Sequence, residues 1–117
     1  MLNEHKIVVE KINAACVEGD TEAFLSFFSD DVTWEIIGEK KLVGKEAIRQ
    51  FMGSMPTDLP KLTVDMIIAE GDIAVCRGNT QMKGDDGLPH PHAYCDIYQF
   101  NNDKVSRMTT FVKQTSA

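Results

Sequence analysis

No stretch of this 117-residue chain approaches the roughly 20 consecutive apolar residues that a bilayer crossing needs. The N-terminus does not read as a secretory leader, because Glu4, His5, Lys6, Glu10 and Lys11 interrupt its apolar residues. Basic charge is scarce: 12 Lys and Arg stand against 18 Asp and Glu, for a net charge of -6. Such a surface repels nucleic-acid phosphates and gains nothing from an anionic membrane, so neither is expected as a partner. Cysteine is limited to Cys16, Cys76 and Cys95, with no CxxC pair, which removes the zinc knuckle and the redox dithiol. Each falls in an apolar stretch, as free thiols do in the reduced cytoplasm, the expected location. There is no GxGxxG, P-loop or HExxH pattern, so nucleotide-binding and zinc-protease chemistry lack their signatures. Asp85-Asp86 reads as a polar turn. No cofactor and no metal are expected.

What is present is an ordinary folding composition, 43% hydrophobic and 26% charged. A chain of this length reads as one domain, residues 1–117, hiding about two-thirds of its extended surface without staples. Residues 2–18 place Leu2, His5, Val8, Val9, Ile12, Ala15 and Cys16 at helical spacing, and Gly19 is positioned to end that helix. Asp20 or Thr21 caps a second, shorter helix carrying Phe24, Leu25, Phe27 and Phe28, closed by Ser29-Asp30-Asp31. Val32–Ile37 is β-branched and aromatic, bounded by Gly38, and Leu42-Val43 pairs back on it. A third helix from Lys45 carries Ala47, Ile48, Phe51, Met52 and Met55 and stops at Pro56 and Pro60. Four strands follow, 62–70, 73–82, 92–100 and 105–113, separated by short polar turns that predict antiparallel neighbours. The order is α+β: a curved antiparallel sheet with helices on one face and a pocket between the layers.

One strand carries an anomaly. In His92-Ala-Tyr-Cys-Asp-Ile-Tyr-Gln-Phe100 a carboxylate stands between two tyrosines, although Asp is depleted in strands. A period of two puts His92, Tyr94, Asp96, Tyr98 and Phe100 on one face. If that face lines the pocket, burial alters the Asp96 carboxyl, and its hydrogen bonds matter.

Several passages carry a resemblance: Glu18-Gly-Asp20, Phe27-Phe-Ser-Asp-Asp-Val-Thr-Trp-Glu35, Gly44-Lys-Glu-Ala-Ile-Arg-Gln-Phe51, and Asp96-Ile-Tyr-Gln-Phe-Asn-Asn-Asp-Lys-Val105. Over nearly the whole chain the sequence resembles the NTF2-like (cystatin-like) superfamily, in its SnoaL-like polyketide cyclase and ketosteroid isomerase-like branches. The resemblance implies a conical α+β fold, a pocket between helices and sheet, and a homodimer formed through the sheet. It is poor for activity, since the superfamily hosts isomerases, cyclases, hydrolases and assembly domains.

Ketosteroid isomerases use a Tyr and a protonated Asp as an oxyanion hole and a second Asp as proton carrier. The resemblance puts the protonated Asp on Asp96, the proton carrier on Ile36 and the tyrosine on Ile12. Isoleucine neither takes nor gives a proton, which argues against that route. His92 is the other candidate acid–base group. It stands four residues from Asp96, roughly 13 Å along an extended strand, so only a bound molecule could touch both. SnoaL-like cyclases are similar in using His and Asp. Trp34 reads either as core or as a pocket wall against a flat ligand, with Ile36 on its side of the strand. Phe51 and Met52 share that ambiguity, and Tyr94 and Tyr98 would line the pocket beside Asp96. The Asp-Arg-Asp arrangement of the family's epoxide hydrolases has only Arg77 to offer, with Asp65 and Asp72 expected in solvent. Three readings stay open: a cofactor-free isomerase or cyclase on a small apolar carbonyl compound, a carrier binding such a molecule without turnover, and a dimeric assembly domain.

Overall fold

Gly19 ends the first helix as the spacing predicts. In the computed structural model, which describes residues 4–54 and 62–115, α1 spans Glu4–Glu18 and Gly19 follows at φ +73°, the left-handed conformation that glycine tolerates best. Asp20 caps α2 (Thr21–Leu25), its carboxylate accepting from the Ala23 N–H at 3.1 Å. This helix is shorter than the apolar pattern suggests. Phe28 belongs to β1 (Phe28–Ile36), where it is 1% exposed beside Val105, and Ser29-Asp30-Asp31 lie inside that strand rather than closing a helix. The Val105 N–H donates to the Phe27 carbonyl at 2.9 Å, so tertiary pairing takes the chain out of its helix. Gly38 turns β1 into β2 (Lys40–Val43), and α3 runs Lys45–Gly53. Leu2, Met55, Pro56 and Pro60, which the sequence assigns to helix α1 and to the end of α3, lie outside the described residues.

The four later strands are β3 (Thr63–Glu70), β4 (Ile73–Lys83), β5 (Pro89–Asn101) and β6 (Lys104–Gln114). All six join one sheet in the order β2-β1-β6-β5-β4-β3. Neighbours are antiparallel except β1 and β6, which run parallel. The sheet is therefore mixed and not wholly antiparallel as the short turns suggest, because β1 meets β6 across most of the chain instead of through a turn, and the α+β class stands.

Helix α1 lies against β3 and β4, and α3 against β1 and β2. Their apolar sides meet one face of the sheet, burying Val9, Ile12, Phe24, Leu25, Ile48, Val32 and Tyr98 into a single core. The opposite face has no helix over it among the described residues. No helix among them is long and apolar enough to cross a membrane.

Candidate functional site

Strand register arranges the inner face in rows. Ile36 on β1 stands beside Thr110 on β6, Thr110 beside Asp96 on β5, Asp96 beside Cys76 on β4, and Cys76 beside Ile67 on β3. The next row holds Trp34, Met108, Tyr98 and Ala74; the one beyond Asp96 holds Val112, Tyr94 and Gly78. Asp96 is thus centred in hydrocarbon, aromatic rings and thiols. Along β5 the alternation is complete: His92, Tyr94, Asp96, Tyr98 and Phe100 are all buried.

Asp96 is 8% exposed, and no cation pairs with it among the described residues. Its one side-chain partner is neutral: the Thr110 hydroxyl donates to Oδ1 at 2.7 Å. Burial disfavours the charged form and outweighs that hydrogen bond, so the carboxyl is raised to about 6. Oδ2 accepts no hydrogen bond among the described residues. Among the described residues no sealed side-chain nitrogen or oxygen goes without a partner, so Oδ2 is the oxygen that keeps some contact with solvent.

Thr110 is itself held from the other side. Trp34 Nε1–H donates to the Thr110 Oγ1 at 2.8 Å. The Trp34 indole also stands edge-on to Phe51, with centroids 5.5 Å apart, and Lys40 lies over the Phe51 ring at 4.9 Å. From above, Asn13 on α1 donates to the Cys76 sulfur at 3.3 Å. Burial, reinforced by the nearby Asp96 charge, pushes the Cys16 and Cys76 thiols and the Tyr98 phenol upward. Burial does the same to Tyr94, with Cys76 and Asp96 adding to it. Near pH 6 these four groups stay neutral, so Asp96 is the member of this cluster that titrates there.

His92 lies on the same face, 9% exposed, but no hydrogen bond or ion pair joins it to Asp96. Its Nδ1 faces the His90 carbonyl at 2.8 Å; a carbonyl only accepts, so Nδ1 carries a hydrogen, and in the neutral ring Nε2 is the acceptor nitrogen. His90 instead pairs with Asp86, both of whose oxygens are 2.9 Å from Nε2. Ile12 and Ile36 are buried at 1% and 8%, Phe51 and Met52 are half-buried against the core, and Tyr94 reaches the Thr63 carbonyl at 3.3 Å. That reach needs Gly78: a β-carbon there would meet the Thr63 oxygen at 2.0 Å and the Tyr94 hydroxyl at 2.6 Å. Cys76 is buried, while Cys16 and Cys95 are only half-buried.

Thr110 and Asn13 are the polar members that the sequence reading does not pick out. Arg77 points the other way, paired with Asp65 at 2.7 Å on the open face. There Ile37, Arg77, Cys95 and Phe111 border an open groove of about 400 Å³.

A family model for the SnoaL-like domain matches residues 9–108. The chain belongs to the SnoaL-like domain family. Solved structures agree on the fold of this SnoaL-like domain. An NTF2-like protein of unknown function from Cytophaga hutchinsonii is 27% identical over 92% of this chain and 98% of its own, with a TM-score of 0.76. A cystatin-fold protein from Novosphingobium aromaticivorans is 21% identical over 90% of this chain and 95% of its own, at 0.78. An LEH-like epoxide hydrolase from M. tuberculosis is 14% identical over 90% of this chain and 79% of its own, at 0.76. The last two likenesses are of fold alone. No curated protein matches the chain.

Proposed function

We propose that this SnoaL-like domain is a cofactor-free acid–base catalyst, of isomerase or cyclase type, acting on a small apolar carbonyl compound. One observation carries the reading: a carboxylate buried among rings and methyl groups, held by a neutral hydroxyl instead of a cation, with its second oxygen open. A carboxyl at about 6 is roughly nine-tenths ionised at pH 7, so Asp96 takes the α-proton of a bound carbonyl compound and returns it as acid. The hydrocarbon around it suits an apolar substrate and strengthens each hydrogen bond made there. His92, with Nε2 as acceptor, stands ready for a second proton transfer at the far end of an extended substrate. The hydrolase route has less support, since Arg77 and Asp65 sit on the open face.

The test is deuterium exchange at the α-carbon of a panel of apolar ketones, followed by NMR. Exchange is expected to rise with pH through about 6 and level off, because the ionised form is the base. Unchanged exchange in Asp96→Asn overturns the reading.

A carrier without turnover is the second reading, favoured by the buried hydrocarbons of Ile12 and Ile36 where isomerases of this fold hold polar groups. It predicts that Asp96→Asn binds the panel as the native protein does, with no exchange in either. We also place a homodimer on the open face of the sheet, where Met66, Ile68 and Phe111 are 48%, 57% and 46% exposed. The three free thiols suit the cytoplasm as its location.

A further inference from the structure

The hydrogen bonds at Asp96 have a direction. An indole N–H only donates, so Trp34 fixes Thr110 Oγ1 as its acceptor. The single hydrogen of the Thr110 hydroxyl is then free for Asp96 Oδ1, and the 2.7 Å contact places it there. A proton on Oδ1 would confront that hydrogen. When Asp96 is neutral its proton therefore sits on Oδ2, the oxygen that keeps some contact with solvent. The three residues come from three neighbouring strands, β1, β6 and β5, so the alignment is a property of the sheet.

We propose that Trp34 and Thr110 are positioning residues that orient the Asp96 carboxyl, reserving Oδ2 as the oxygen that takes and gives the proton. The inference rests on Asp96 being the acid–base group, but its central test needs no turnover. Trp34 is the one tryptophan in the chain, so its indole N–H resonance is unambiguous. Thr110 cannot release Asp96 without altering its bond to the indole, and the resonance therefore reports the carboxyl's charge. The other titratable groups facing Asp96 are Cys16 on α1, Cys76 on β4 and Tyr94 and Tyr98 on β5, all raised by burial. His92 lies further along β5, and on the Trp34 side the charged group is Lys40 over Phe51.

The experiment follows two NMR signals from pH 4 to 8, the Trp34 indole N–H and the carbon-13 signal of the Asp96 carboxyl. Both are expected to move with one shared midpoint in the native protein and in His92→Gln. In Asp96→Asn the indole transition should vanish. Thr110→Val should silence the indole transition and raise the carboxyl midpoint by about one pH unit, because the ionised form loses its donor. Thr110→Ser should restore both. In the exchange assay, Thr110→Val should shift the pH profile upward by the same amount, a result that a purely structural role would not give. A flat indole signal in the native protein overturns the proposal without recourse to any variant. So does a carboxyl midpoint unmoved in Thr110→Val. Coupled NMR transitions together with full exchange in Asp96→Asn would instead sink the catalytic reading and leave the alignment standing.

Discussion

Asp96 and Asp65 are the same side chain on opposite faces of one sheet. On the open face Asp65 meets Arg77 at 2.7 Å, both are well exposed, and water screens whatever they feel. On the helix-covered face Asp96 meets only a threonine hydroxyl, and burial keeps its proton within reach of neutral pH. The apolar residues divide unexpectedly too, with Met66, Ile68 and Phe111 left in the open while a carboxylate is enclosed. An acid answered by a guanidinium is electrostatically spent, whereas one answered by a neutral donor keeps its reactivity at a cost in stability.

That comparison can be broken from the inside first. Asp96→Asn should reduce α-proton exchange at least a hundredfold, the scale of a lost general base. It should also stabilise the fold at pH 8 by about 3 kcal/mol, from a shift of roughly two pH units. The sign follows from the direction of that shift. The native protein is penalised for its buried anion above pH 6 and is relieved as pH falls from about 6 toward 3.8, so the advantage of the variant should shrink across that window in denaturant melts. Gly78→Ala attacks the same face by volume. Its new methyl meets a backbone oxygen, and urea unfolding should show a loss of about 3 kcal/mol as β3 is pushed off β4.

On the open face, the proposed dimer predicts that Phe111→Glu leaves a monomer in analytical ultracentrifugation where the native chain sediments as a dimer, while exchange per chain stays unchanged. The smallest effect should come from Arg77→Ala. Deleting this exposed partner of Asp65 should alter stability by no more than about 0.5 kcal/mol, against the large effect of altering the aspartate on the other face.

Much of the architecture was legible because local rules govern it. Gly19, the Asp20 cap and the polar turns stand where composition puts them, and the alternation of His92 to Phe100 set Asp96 on one face with two tyrosines while leaving open which way that face turns. Thr110 was not legible, and the reason is a register shift. At the β5–β6 turn Asn101 pairs with Lys104 and Phe100 with Val105; without interruption that count would set Thr109 opposite Asp96. An irregularity between Gln99 and Phe100 moves the pairing by one residue, and Thr110 arrives instead. Trp34 was left between core and pocket because its partner depends on β1 lying parallel to β6, a pairing across some seventy residues that no turn announces. The short α2 has a similar cause, since Phe28 is claimed by a strand distant in sequence.

The place of β6 in the sheet has a consequence for the carboxyl. Strands β1 and β2 form one hairpin and β3 to β5 one meander, and within the sheet the two are joined only through β6. The same strand delivers the hydroxyl that the acid lacks and the acceptor that the indole lacks. Joining the two halves of the sheet and completing the hydrogen bonds of the carboxyl therefore depend on one strand, and a chain without β6 would have neither.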